Sequence, residues 1–362
     1  MSTVGLGLPL PRSPREAAAS DVPSEGPLRD TFGRVAKDLR VSVTDRCNLR
    51  CSYCMPAEGL DWMPTDQVLS TDELIRVLTV AVRDLGIERI RFTGGEPLLR
   101  RDLEDIIAAV ACLPQAPEIA MTTNGLGLPR RVDGLVDAGL DRINVSLDTV
   151  DPARFAEITR RDRLTDVLDG LAAARRAGLD PVKVNAVVPD RADLAGVPDL
   201  LAYCLEHGYE LRIIEQMPLD ADHAWQRAQM VTAREILTTL RERFTLLPDP
   251  APRGSAPAAT WLVDGHDGPH GPARVGVIAS VTQPFCGDCD RTRLTADGSL
   301  RNCLFATTET DIRTALRTLP DDEIDAALAQ LWRASMWAKT PGHEVNVAGF
   351  RQPDRPMSAI GG

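Results

Sequence analysis

The run Leu39-Arg40-Val41-Ser42-Val43-Thr44-Asp45-Arg46-Cys47-Asn48-Leu49-Arg50-Cys51-Ser52-Tyr53-Cys54 decides how the rest of the chain is read. Its first half is a short apolar strand running out into polar residues, and its second half is C-x-x-x-C-x-x-C. Three thiolates can hold three irons of a four-iron cluster and leave one iron open. The strand half recurs. Apolar, strand-like runs at 87–92, 118–121, 142–147, 182–188 and 211–214 alternate with helical patterns, which predicts βα repetition and a parallel sheet. Right-handed crossovers allow a doubly wound sheet or a barrel, full or partial, and periodicity does not separate them.

The helices carry their own punctuation. Ser70 followed by Glu73 reads as a capping box, with Leu74, Leu78, Ala81, Val82 and Leu85 on one face. Further helices are expected at 102–112, 130–138, 165–177 and 194–207, with Gly139, Gly178 and Gly208 as C-caps. Residues 1 to 30 are rich in Pro, Ser, Gly and charge and are expected to be a disordered tail, ahead of a βα domain at 31–247. Pro, Ala and Gly over 248–258 suggest a linker, placing a second domain at 248–362.

Composition narrows the class. The chain is 43% apolar with a formal charge of -11, which suits a globular protein and argues against a broad nucleic-acid footprint. No run of 18 apolar residues and no hydrophobic N-terminal leader is present, so no membrane span is expected and the chain is placed in the cytoplasm. There thiols stay reduced, and the 8 cysteines are better metal ligands than disulfide partners.

A second trio stands at Cys286, Cys289 and Cys303. Spacing alone leaves open a structural zinc site completed by His266 or His270, as well as a second iron-sulfur centre. Cys112 and Cys204 fall on apolar helix faces and read as core residues. Polar residues also gather where strands end, at Thr44-Asp45-Arg46, Thr93 to Pro97, Thr122-Thr123-Asn124, Ser146 and Glu215-Gln216-Met217. In a barrel those ends would form the site.

From Leu39 to Gly362 these motifs resemble the radical S-adenosylmethionine superfamily, and within it the GTP 3′,8-cyclase family. The resemblance is carried by both cysteine trios, Thr93-Gly94-Gly95-Glu96-Pro97, Thr122-Thr123-Asn124-Gly125, Ile143 to Asp148, Arg291-Thr292-Arg293 and the terminal Gly361-Gly362. It implies a partial (βα)6 TIM-type barrel with a smaller C-terminal domain for the second cluster. It implies two [4Fe-4S] clusters, one on Cys47, Cys51 and Cys54 and one on Cys286, Cys289 and Cys303. S-adenosylmethionine on the first would be contacted by Tyr53, Gly95, Ser146 and Met217. No acid or base side chain is implied at the reacting atoms, since the radical comes from the cluster-bound cofactor.

For the substrate, the resemblance implies removal of the 3′ hydrogen of GTP and addition of the carbon radical to guanine C8. Arg40, Arg91, Thr122, Lys183, Arg291, Thr292 and Arg293 match family positions that bind GTP, with Arg212 a further basic candidate. No G-x-x-x-x-G-K-[ST] loop is present, so side-chain cations must hold the triphosphate. The guanine base would sit on the open iron of the second cluster, and the Gly-Gly tail would reach toward the site. An electron donor of unspecified identity is required, and a monomer or homodimer is expected, without nucleic-acid or membrane partners.

Overall fold

Eight parallel strands line up side by side in the computed structural model, which describes residues 21–361. The six expected strands are present as β1 (Asp38–Ser42), β2 (Arg89–Thr93), β3 (Glu118–Thr123), β4 (Arg142–Ser146), β5 (Val182–Val188) and β6 (Glu210–Glu215), paired in sequence order. Between them run α1 (Thr71–Arg83), α2 (Leu103–Ala111), α3 (Val132–Asp137), α4 (Pro152–Thr159), α5 (Leu164–Arg176) and α6 (Val197–His207). The capping box forms as read, with Ser70 accepting from the Glu73 backbone and Glu73 from the Ser70 backbone, and α1 buries Leu74, Leu78, Ala81 and Val82. Helix α6 ends on Gly208 at φ 68°, a left-handed turn that favours a residue without Cβ.

The C-terminal part does not form a separate layer. After α7 (Ala233–Arg241), β7 (Leu246–Pro248), β8 (Ala259–Gly268) and β9 (Gly271–Ile278) follow, and β9 pairs parallel to β6. At the opposite edge β10 (Arg291–Leu294) pairs parallel to β1, continued by β11 (Ser299–Arg301) and β12 (Thr310–Asp311). The six-stranded core is thus extended at both edges by one later segment, and the sheet stays open, with β12 at one end and β7 at the other. Helices α8 (Arg313–Thr318), α9 (Asp321–Trp337) and α10 (Met357–Ile360) complete the chain.

The tail expected over residues 1 to 30 is corrected in part. Residues 1–20 lie outside the described residues, but Leu28 is fully buried, and the Leu28 carbonyl accepts from the Ala36 backbone at 2.8 Å. One strongly apolar side chain in a polar segment suffices to seat it. Cys112 is also corrected: it caps α2 and is exposed, whereas Cys204 is buried as expected.

Strand alternation sorts the side chains between two faces. On β5 the residues Val182, Val184, Ala186 and Val188 are buried toward the helices, and Lys183 and Asn185 face the other way. The helix-facing side is apolar. The inner face is a lattice of polar side chains around a cavity of about 580 Å³.

Candidate functional site

Strand register builds the cavity wall. Arg293 on β10 stands opposite Arg40 on β1, and Arg40 opposite Arg91 on β2. Three guanidinium side chains therefore share one row across strands about 4.8 Å apart. Like charges in register repel. Thr122 pairs with Asn144 and Asn144 with Lys183, while Asn185 pairs with Arg212, which carries the polar face round the lumen. All of these residues line the cavity, together with Arg291, Met217, Cys286, Cys289 and Cys303.

The cations are unequally satisfied. Arg40 pairs with Asp38 at 2.9 Å and Lys183 with Glu210 at 2.8 Å. Below them Arg142 pairs with Glu118 and Arg89 with Asp290. Arg91 keeps Nε and Nη1 buried without partners, and Arg212 keeps Nε so. Burial, then the nearby Arg40 and Arg212, holds Arg91 well below the usual guanidinium range. Burial with Arg40 lowers Arg293 to about 9, and burial lowers Arg212 to about 10. Crowded, dehydrated cations with orphaned donors fit a bound polyanion.

Thr292 turns its side chain away from the cavity. Between two inward arginines its side chain points outward, where its hydroxyl accepts from the Trp332 indole at 2.9 Å and is fully buried. Period-two alternation requires this of the middle residue of any Arg-x-Arg on a strand.

The first thiol trio lies outside the cavity lining, in the loop after β1. Its thiols feel one another. Burial raises Cys47 to about 11, and burial with the Cys47 charge raises Cys54 to about 12. Burial, then Asp148 and the other two thiols, pushes Cys51 well up. Three neighbouring soft donors that resist ionisation without a cation fit an iron cluster, which would supply the missing positive charge. The loop is held by backbone contact: Gly95 donates to the Thr44 carbonyl at 2.8 Å and Glu96 to the Arg46 carbonyl at 2.7 Å. A Cβ on Gly95 would lie 2.2 Å from the Arg46 oxygen, so its smallness seats the cluster loop itself. Tyr53 donates to Asp148 at 2.8 Å, and Ser146 ends β4 half-buried. Of the four residues expected at S-adenosylmethionine, only Met217 lines the cavity.

The second trio is surrounded differently. Lys339 Nζ stands 3.6 Å and Arg291 Nη1 3.8 Å from Cys289 Sγ. Burial is the largest influence and raises this thiol, but Lys339, Arg291, a hydrogen bond from the Arg291 backbone and Arg34 together outweigh it, and its value falls below the ordinary one. His270 pairs with Asp180 at 3.0 Å and His266 packs on Phe244. Neither completes a zinc site, and among the described residues no three ligand side chains converge tightly enough for a single ion. Three thiols with no fourth ligand side chain beside them among the described residues suit a cluster with an open iron.

Between the two trios the C-terminal tail is inserted. Met357 lines the cavity, Ser358 lies beside Cys54, and the Gly361 carbonyl accepts from Arg293. A Cβ on Gly361 would lie 2.4 Å from Thr93 Oγ1, so only glycine fits there. Gly362 lies outside the described residues.

Residues 41–204 match the radical SAM superfamily model, and residues 209–345 match the Molybdenum Cofactor Synthesis C model. A GTP 3′,8-cyclase of Mycobacterium sp. (strain KMS) is 62% identical over 362 residues, covering 100% of both chains. The chain belongs to the GTP 3′,8-cyclase family. Another such cyclase, from Mycolicibacterium smegmatis, is 61% identical over 367 residues, again with 100% of both chains covered. Streptococcus suis SuiB bound to precursor peptide SuiA shares the fold at TM-score 0.55 and 13% identity, over 89% of this chain and 75% of that one. The family's two models meet near the β5–β6 region, and the sheet runs through both without a break.

Sequence reading missed Arg34, Asn144, Asn185, Arg253 and Lys339. Asn144 and Asn185 carry the period-two signal of inward strand positions, and that signal could have found them. Arg253 arrives on an irregular loop, lining the cavity with its guanidinium 4.8 Å from the Phe285 ring. No local pattern points to it.

Proposed function

We propose that this chain converts GTP to (8S)-3′,8-cyclo-7,8-dihydroguanosine 5′-triphosphate, the first step of molybdopterin biosynthesis. The observation that carries the reading is the cavity wall, where three cysteines, Met217 and a ring of underpaired cations face one volume of about 580 Å³. Clusters on the two trios, with S-adenosylmethionine on the first, would supply a 5′-deoxyadenosyl radical and an open iron for the purine.

The protein's part is placement. The row Arg293, Arg40 and Arg91, with Lys183 and Arg212, would hold the triphosphate against the lumen and relieve a repulsion that the fold otherwise maintains. Cys286, Cys289 and Cys303 would set the base end of the nucleotide. With both ends held, ribose and base are confined to one mutual orientation, which is what an intramolecular carbon–carbon bond formation needs. Tyr53, Gly95, Ser146 and Met217 are proposed at S-adenosylmethionine, Gly95 through its backbone. The inserted tail keeps bulk water from the reacting atoms. An external electron donor is required.

Anaerobic incubation with GTP, S-adenosylmethionine and a reductant, followed by mass analysis of the nucleotide, tests the reading. Cyclised dihydro-GTP is expected from the native chain. Cys51→Ala is expected to abolish 5′-deoxyadenosine formation, whereas Cys286→Ser keeps it detectable and loses GTP conversion. Equal loss of both activities in both variants would overturn the division of roles.

A further inference from the structure

Lys339 is one of three lysines in the chain and is 3% exposed, just past the end of α9. Its ammonium donates to the Arg291 carbonyl at 2.7 Å and faces Cys289, with the carbonyl at 3.5 Å and Sγ at 3.6 Å. Among the described residues no carboxylate pairs with it. A buried cation without a counter-charge is costly, and such groups survive where an anion meets them. The anion within reach here is the sulfur of Cys289.

The segment after Lys339 wraps the same centre. Arg34, from ahead of β1, donates to the Cys286 carbonyl at 2.7 Å, to Thr340 at 2.6 Å and to Pro341 at 2.9 Å, which clamps the segment onto the cysteine loop. Gly342 lies against Cys286, where an added Cβ would come within 3.7 Å of its sulfur. The first trio has mixed surroundings: buried Glu96 and half-buried Asp148 stand near Cys47 and Cys51, and the Arg50 guanidinium donates to the Cys47 carbonyl at 2.8 Å.

We propose that Lys339 is the counter-charge of the second iron site, a positioning residue that balances the Cys289 thiolate and raises the reduction potential of a cluster held there. Three thiolates on a doubly charged four-iron core leave a net negative centre, and each added electron deepens it. A fixed cation a few ångströms from a ligand sulfur favours the reduced state and draws electron density from the open iron. An open iron held there would then take a lone pair from a purine base more strongly. The role rests on the cyclase reading of the second trio.

The test uses full-length Cys51→Ala protein, reconstituted anaerobically so that only the second site can hold a cluster, with Lys339 kept or replaced by Met or Arg. Iron per chain, spectroscopic redox titration and GTP binding by calorimetry are measured, with circular dichroism to confirm folding. With Lys339 in place about four irons per chain are expected. K339M is expected to shift the midpoint to more negative potential and weaken GTP several-fold, and K339R to bring both back toward the original values. A loaded K339M cluster with unchanged midpoint overturns the proposal. Loss of iron in K339M that K339R does not restore overturns it too, since the residue would then serve packing and not charge. Absence of iron with Lys339 in place would instead overturn the reading of the second trio itself.

Discussion

Arg293 shows how much a single side chain can depend on what faces it. It is buried, crowded by Arg40, lowered to about 9, and donates to the Gly361 carbonyl. A triphosphate offers far stronger acceptors than one carbonyl, and a hydrogen bond to a charged group contributes about 1.5–3 kcal/mol. Arg293→Ala is therefore expected to weaken GTP binding roughly 10- to 100-fold while leaving S-adenosylmethionine affinity within about twofold. Calorimetry with each ligand checks this, and a larger loss for S-adenosylmethionine would remove Arg293 from the nucleotide wall. Thr292 teaches the complementary lesson, because a motif match places three consecutive residues at a site while a strand can present only two of them inward.

At the scale of elements, the turn after β2 is organised by Glu96. This fully buried carboxylate accepts from Leu98 and Asn124 backbones at 2.9 and 2.7 Å and from the Thr123 hydroxyl at 2.6 Å, tying β2 to the end of β3. Burial pushes it up to about 7, and the three hydrogen bonds only temper the rise. Its ordinary value is about 4.3. Between those two values the unfolded chain releases the proton and the folded chain keeps it, so this group's contribution to stability falls as pH rises from about 4 to about 7, by up to about 3 kcal/mol. E96Q cannot ionise. The thermal midpoint of cluster-free E96Q protein, measured against that of the native chain, is expected to rise steadily between pH 5 and pH 7.5. A constant difference across that range would show that Glu96 keeps an ordinary value.

The whole molecule answers a question that its elements cannot. The expected boundary at residue 247 suggests a barrel domain followed by an independent module, yet β9 pairs with β6 and β10 with β1. Both edges of the six-stranded core are satisfied by the later segment, and exposed edges of that length invite association. A fragment ending at residue 247 is expected to aggregate or remain unfolded, and co-expression with 248–362 to recover soluble complex. Size-exclusion chromatography and circular dichroism decide it, and a monomeric, folded fragment would restore the two-domain picture. No helix among the described residues is long and apolar enough to cross a membrane.

Local signals carried far. Alternation located six strands to within a few residues, and the capping box at Ser70 set the start of α1, because each rests on chemistry confined to a few adjacent residues. Short-range pattern did not reveal α4 or α7, nor the seat of Leu28. What tertiary structure alone decided is whatever depends on pairs distant in sequence: Arg293, Arg40 and Arg91 falling in one row, the tail entering between the trios, and Lys339 meeting Cys289. Periodicity states which face a side chain takes, but only strand register and chain return determine what stands opposite it.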